Sequence, residues 1–246
     1  MMLIRLIFMI RLIFILTTVV ALPAQAFSQN SSNFKVEYFG ALKNMMHKGD
    51  ISAKASLNDF SNTNHLYALG AIENLKGEIQ IFDSKPSNTM VKDGALAFDD
   101  SFNKNATLLV YASVSKWRTI HIPDKIVTYE ELEEHIEQVA KEAGIDTDEP
   151  FPFLLEGTVK SFDWHVINWK DGDMEHSHEK HINSGLHGTI SDRQVEMLGF
   201  YSNAHHAIFT HHTTNMHIHV RTADGKLAGH VDGLTIGNDL VLKLPE

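Results

Sequence analysis

Three histidines near the C-terminal end carry the clearest chemistry in this 246-residue chain. The run Asn215-Met216-His217-Ile218-His219-Val220 alternates polar and apolar residues. On a strand, side chains two apart share a face, so His217 and His219 project together while Met216, Ile218 and Val220 face the other way. Downstream, Ala223-Asp224-Gly225-Lys226 reads as a hairpin turn. Asp-Gly suits a two-residue type I′ loop, in which both positions need positive φ. Ala223 then pairs with Lys226, which sets His219 opposite His230 and His217 opposite Asp232. Directly opposed Cβ atoms lie about 5 Å apart, so three imidazoles converge on one face of one hairpin. Three histidines plus a position held by water is a recurrent catalytic zinc arrangement. A divalent metal, Zn2+ first, is therefore the expected cofactor, bound by His217, His219 and His230. The competing reading makes them ordinary polar residues of a half-buried sheet.

The other histidines of the sixteen are weaker candidates. His176, His178 and His181 lie in a polar stretch read as a loop, a possible second ion site. His205, His206, His211 and His212 precede the metal strand and are expected either at a pocket entrance or on the plain surface. The chain has no cysteine, which excludes thiol chemistry and cysteine-ligated metal. Its net charge of −10 argues against nucleic acid, whose binding rests on Lys and Arg neutralising phosphates.

Positioning such a site takes a sheet-rich domain. Met1 to Val20 carries Arg5 and Arg11 among Leu, Ile, Phe and Val, and Ala24-Gln25-Ala26 has the small-x-small pattern of a signal-peptidase site. Arg11 leaves an apolar run too short for a span, so residues 1–26 read as a signal peptide. The mature chain, 27–246, is expected to be exported (periplasmic or secreted) and free of the membrane. Phe27 to Asn33 reads as a tether. Val36 to Met46 is expected to be a short helix ended by Lys48-Gly49-Asp50. Leu66 to Phe82 reads as two strands about a turn at Asn74 to Gly77, and Thr107 to Val114 as another. Tyr129 to Ala143 is the clearest helix, with Thr128 and Glu131 as a capping box and Gly144 at the left-handed position beyond its end. From Phe153 onward, short alternating segments predict antiparallel strands. The class is α+β, with mixed and antiparallel β-sheets and few helices, in one domain with possible lobes at about 34–150 and 151–246.

With these residues in place, the chain resembles the acetolactate decarboxylase family. The strongest part is Gly199-Phe200-Tyr201-Ser202, then Met216-His217-Ile218-His219-Val220, then Ala228-Gly229-His230-Val231-Asp232. These follow the family's His-x-His and Gly-Gly-His-Val strands, whose three histidines bind zinc. Gly40-Ala41-Leu42 to His47-Lys48-Gly49-Asp50 resembles the family's early helix and turn. The segment from Leu69-Gly70-Ala71 to Leu75-Lys76-Gly77-Glu78-Ile79 resembles the one carrying an active-site glutamate, here Glu78. Around the substrate the resemblance implies Leu75, Leu154 and His212. It also shows departures. Leu154 falls where the family has a catalytic arginine, Ala71 replaces a threonine, and Glu246 is a poor match to a glutamate of the family's tail. Ser191 to Glu196 resembles an insertion.

The resemblance implies a carboxy-lyase that removes CO2 from a 2-hydroxy-3-oxo acid such as acetolactate, giving acetoin. Glu78 would be its proton donor, with Lys160, His165 or His212 as substitutes for the missing cation. A small-molecule substrate and a possible homodimer follow from the same resemblance. The alternative is an exported, non-catalytic protein that binds a metal or a small ligand on the same fold.

Overall fold

The computed structural model describes residues 34–246, so the expected signal peptide, its cleavage site and the expected tether at 27–33 lie outside the described residues. The described residues form one compact unit. No helix among the described residues is long and apolar enough to cross a membrane.

Two antiparallel sheets dominate. The first contains β1 (Val36–Phe39), β2 (Ala55–Ser56), β3 (Leu66–Ile72), β4 (Glu78–Phe82), β5 (Lys85–Pro86), β6 (Asn88–Lys92), β7 (Ala95–Asp99) and β8 (Asn105–Ser113). Its order is β1-β8-β3-β4-β6-β7, with β2 on β8 and β5 on β4. The second contains β9 (Trp117–His121), β10 (Phe151–Val166), β11 (Leu186–Tyr201), β12 (Met216–Thr222), β13 (Ala228–Thr235) and β14 (Val241–Pro245), in the order β11-β12-β13-β10-β14-β9. β11 also pairs with β10, so β10 to β13 close into a circuit. The helices are α1 (Leu42–Lys48), α2 (Tyr129–Glu142) and α3 (His178–Asn183). The fold is α+β, and its ladders are antiparallel rather than mixed. The chain passes from one sheet to the other between Ser113 and Trp117.

Several expected elements are present. β3 and β4 flank the expected turn, and β8 covers the predicted strand at 107–114. In α2, Thr128 accepts from the Glu131 backbone N–H at 3.2 Å while Glu131 Oε2 accepts from Thr128 N–H at 3.0 Å. Leu132, Ile136 and Ala140 of α2 pack on the second sheet.

Other expectations are corrected. Val36–Phe39 is a strand, because it pairs with β8 at the sheet edge, and the helix starts only at Leu42. Its end at Gly49, with φ 61°, is as expected. The segments after Phe153 are not all short. β10 and β11 run 16 residues each and pair along almost their whole length. The expected insertion at Ser191 to Glu196 lies within β11, opposite Glu156 to Ser161. His178 and His181 belong to α3, which Ser177 caps by accepting from Lys180 N–H at 3.1 Å.

The layering explains where polar groups gather. Ile79 and Ile81 of β4 point into one core with Ala68 and Leu109, while Phe82 joins the core between the sheets, with Leu69, Leu108, Leu198 and Phe200. Strand alternation therefore turns Glu78 and Gln80 toward that inter-sheet layer. On the second sheet, Met216, Ile218, Val220 and Val231 pack into the core beneath α2, so the histidines between them face the same layer.

Candidate metal centre

The predicted pairing of His219 with His230 is present, along with Val220–Gly229 and Arg221–Ala228. The turn reaches that register differently. Thr222 N–H donates to Leu227 O and Gly225 N–H to Thr222 O, both at 2.9 Å. Of the two turn residues only Gly225 has positive φ, so the loop is not type I′. Its four residues, 223–226, preserve the parity that the two-residue loop would have set. His217 does not pair with Asp232, because the β12–β13 ladder stops at His219–His230. On its other edge β13 carries a bulge. Asp163 pairs with Gly233 and Trp164 with Val231, which leaves Asp232 as the extra residue. Bulges commonly re-aim a side chain in this way.

β10 adds a histidine that the hairpin alone did not place. His165 is the Cα partner of His230, so His165, His230 and His219 form a row across three strands. Ring centroids of His230 lie 4.7 Å from His165, 4.9 Å from His217 and 5.4 Å from His219. His217 Nε2 and His219 Nε2 approach to 3.2 Å. Asp232 reaches His165 Nδ1 through Oδ2 at 2.7 Å and His230 Nδ1 through Oδ1 at 3.2 Å. Among the described residues, His165, His230 and Asp232 form a group able to hold a metal ion, with ligand atoms within 4.8 Å of one another.

β4 supplies the opposite wall. Gln80 is fully buried, and its Oε1 accepts from His219 Nδ1 at 3.1 Å. The amide cannot be turned round, since its Nε2 donates to Ser87 O and to Thr89 Oγ1. His219 is thereby held with its proton on Nδ1 and a lone pair on Nε2. Glu78 accepts from Ile167 N–H through Oε1 at 3.0 Å. Its two oxygens lie 3.8 Å from His165 Nε2 and 3.8 Å from His219 Nε2. Gln80 was not singled out from the sequence. Its only signal was its place two residues from Glu78 on the same strand face.

Burial governs the electrostatics. It pushes Glu78 up to about 7 against the attraction of His165 and the Ile167 hydrogen bond. It drives His217 and His219 well below the usual imidazole range, aided by His230. Burial works on Asp232 in the opposite sense, but the hydrogen bond from His165 and the His230 ring beside it outweigh it and hold the carboxyl below its ordinary value. The neutral imidazoles of His217 and His219, with the ionised Asp232 carboxylate nearby, make a donor set suited to a divalent cation. His217 Nδ1 is buried without a hydrogen-bond partner, and His230 Nδ1 and Asp232 Oδ1, 3.2 Å apart, form no aligned hydrogen bond, so the cluster keeps unsatisfied polar atoms that an ion could draw together. The residues fit a metal.

The cavity is about 50 Å³, enough for a few water molecules. Gly70, Ala71, Leu75, Glu78, His165, His178, His211, His217 and His230 line it. Leu75 is therefore at the site. Leu154, 2% exposed, packs in the inter-sheet core and does not line the cavity. His212 lines a larger neighbouring groove of about 370 Å³, which shares His178, His211 and His230 with the cavity and so forms its approach. His205 hydrogen-bonds Ser202 and His206 hydrogen-bonds Asn215, and neither lines that approach. His176 stacks on Trp169 and bonds His181 at 2.9 Å, and His181, itself buried, also lines the cavity. His178 separates from them and faces His211 and Asp232. Of the suggested cation substitutes, Lys160 pairs with Asp192 at the surface, while His165 is in the site.

No family model matches the chain, and no curated protein does either. Solved structures do. Alpha-acetolactate decarboxylase from Bacillus subtilis strain 168 superposes with a TM-score of 0.67 at 12% identity, covering 86% of each chain. Acetolactate decarboxylase from Bacillus subtilis subspecies spizizenii gives 0.67 at 13% with the same coverage. A Staphylococcus aureus protein of unknown function, similar to alpha-acetolactate decarboxylase, gives 0.63 at 13%, covering 86% of this chain and 84% of its own. The chain has the acetolactate-decarboxylase-like fold. At these identities the likeness establishes the architecture alone.

Proposed function

We propose that the chain is a metal-dependent carboxy-lyase that decarboxylates a 2-hydroxy-3-oxo acid such as acetolactate, giving acetoin and CO2. The observation that carries this reading is a buried Glu78 carboxyl, held near neutrality, beside the convergent Nε2 atoms of a histidine cluster. His217, His219 and His230 would hold a divalent ion, zinc first. Such an ion supplies Lewis-acid stabilisation for the oxygen charge that builds as CO2 departs. The carbon–carbon electron pair remains with the organic fragment, and Glu78 delivers the proton that completes acetoin. A carboxyl near pH 7 is matched to that transfer. His178 and His211, at the approach, would admit the substrate from the larger groove.

A specific observation favours the alternative of a non-catalytic metal- or ligand-binding protein. Neither Lys nor Arg is among the described residues that line the cavity. Acetoin formation by metal-loaded wild type, metal-stripped protein and Glu78→Gln decides between them. The enzyme reading expects a rate that metal removal abolishes and that Glu78→Gln cuts by roughly two orders of magnitude or more at unchanged metal content. If all three equal the uncatalysed background, the binding reading stands. In either role we place the chain outside the cytoplasm, on the strength of residues 1–26.

A further inference from the structure

We propose that His165 is a fourth nitrogen ligand of the metal, binding through Nε2, with Asp232 the carboxylate that orients it. This rests on the metal reading above, and it changes what that site is in its resting state. His165 stands in register beside His230, on the row that ends in His219, so β10 contributes to the cluster as directly as the hairpin does.

Distance decides what Asp232 does. Two ligand atoms on a tetrahedral zinc with bonds near 2.0 Å lie about 3.3 Å apart. His165 Nδ1 and Asp232 Oδ2 are 2.7 Å apart, a charge-assisted hydrogen bond. An ionised carboxylate has no proton to give, so Nδ1–H donates. Asp232 therefore orients His165 from behind rather than sharing a metal with that nitrogen. His217 Nε2 and His219 Nε2, at 3.2 Å, have the separation of two ligands on one ion.

With Nδ1 committed, Nε2 is the atom His165 has left to offer. It points into the site, 3.8 Å from one oxygen of Glu78, while His219 Nε2 lies 3.8 Å from the other oxygen. His230 Nδ1 lies 3.2 Å from Asp232 Oδ1, close to the same carboxylate but without an aligned hydrogen bond. Asp232 thus fixes His165 through Nδ1, as Gln80 fixes His219. Carboxylate–histidine–metal relays of this kind fix ring orientation and raise ligand basicity. Any proton on Nε2 in the metal-free chain is released when the ion binds. The resting centre is then closed, four nitrogens around one ion, and a chelating substrate must displace His165 or raise the coordination number.

Cobalt(II) in place of zinc tests this, because its visible spectrum reports coordination. The cobalt-loaded full chain should show a four-coordinate spectrum that millimolar thiocyanate leaves unchanged. His165→Ala should open a position, so that thiocyanate shifts the spectrum, and the cobalt Kd should rise at least tenfold. His165→Asn serves if the alanine variant fails to fold. Asp232→Asn should retain one equivalent of metal with affinity weakened roughly 10–100-fold. The proposal is overturned if thiocyanate binds the wild-type cobalt protein, or if the His165 variants match wild type in spectrum and Kd. A wild-type chain that takes up no metal overturns the metal reading itself, a separate result.

Discussion

Replacing Gln80 by Leu probes the centre without touching a proposed ligand. The change nearly preserves volume, yet it removes the acceptor for His219 Nδ1 and the donor to Ser87 O and Thr89 Oγ1. Thr89 Oγ1 still donates to Ser87 O, so the group left wholly unpaired is His219 Nδ1, and at about 1–3 kcal/mol for such a group the metal-free chain should lose roughly 1–3 kcal/mol. His219 would also lose the bond that selects its tautomer. Orienting partners of metal-bound histidines are typically worth 10–100-fold in affinity, or about 1.4–2.8 kcal/mol. At zinc set to 100 times the wild-type Kd, bound metal stabilises wild type by about 2.7 kcal/mol. A 100-fold weaker variant would gain only about 0.4 kcal/mol under the same conditions. For a chain of this size that difference is roughly 5–9 °C in the zinc-induced rise of Tm. Zinc Kd by competition with a chromophoric chelator, and Tm with and without zinc, provide the assay. A folded Gln80→Leu chain with wild-type Kd and an undiminished zinc-induced rise would refute the reasoning.

Three further outcomes follow from other parts of the molecule. A Cβ on Gly199 would sit 2.1 Å from Cζ of the fully buried Phe153, its cross-strand partner, so Gly199→Ala should cost about 1–3 kcal/mol by urea melts. Phe153→Leu in the same chain should recover part of that loss. Hydrogen bonds from Lys104 and Ser101 hold Asp99 down at about 2, so its stabilisation is complete above pH 4 and disappears as pH falls through 2. Allowing for solvent screening, Asp99→Asn should cost up to about 1 kcal/mol at pH 7 and progressively less between pH 4 and pH 2 in denaturant titrations. N-terminal sequencing of chain recovered from the exported fraction should begin at Phe27, and an intact Met1 there would contradict cleavage after Ala26.

What was legible in the sequence was local. A strand period of two and a nearby turn put His217 and His219 on one face and His219 opposite His230, and that pairing holds even though the turn is of another type. The capping box of α2 is likewise written within four residues. Glu78 could be named from a resemblance, and its carboxylate does reach the cluster. Tertiary structure decided the rest. Val36–Phe39 has the spacing of a helix, but pairing with the edge of β8 offers its backbone a ladder that outweighs the local pattern. From Phe153 onward the pattern reads as short segments, yet Gly157, Gly188 and Gly199 lie inside two long strands, where Gly199 leaves room for the Phe153 ring. Gln80 lies 139 residues from the histidine it orients, and Asp232 lies 67 from His165. No local periodicity carries such partnerships. They exist because two sheets turn their polar faces into one layer, where an unpaired nitrogen or oxygen is costly and each group must find a partner from another strand.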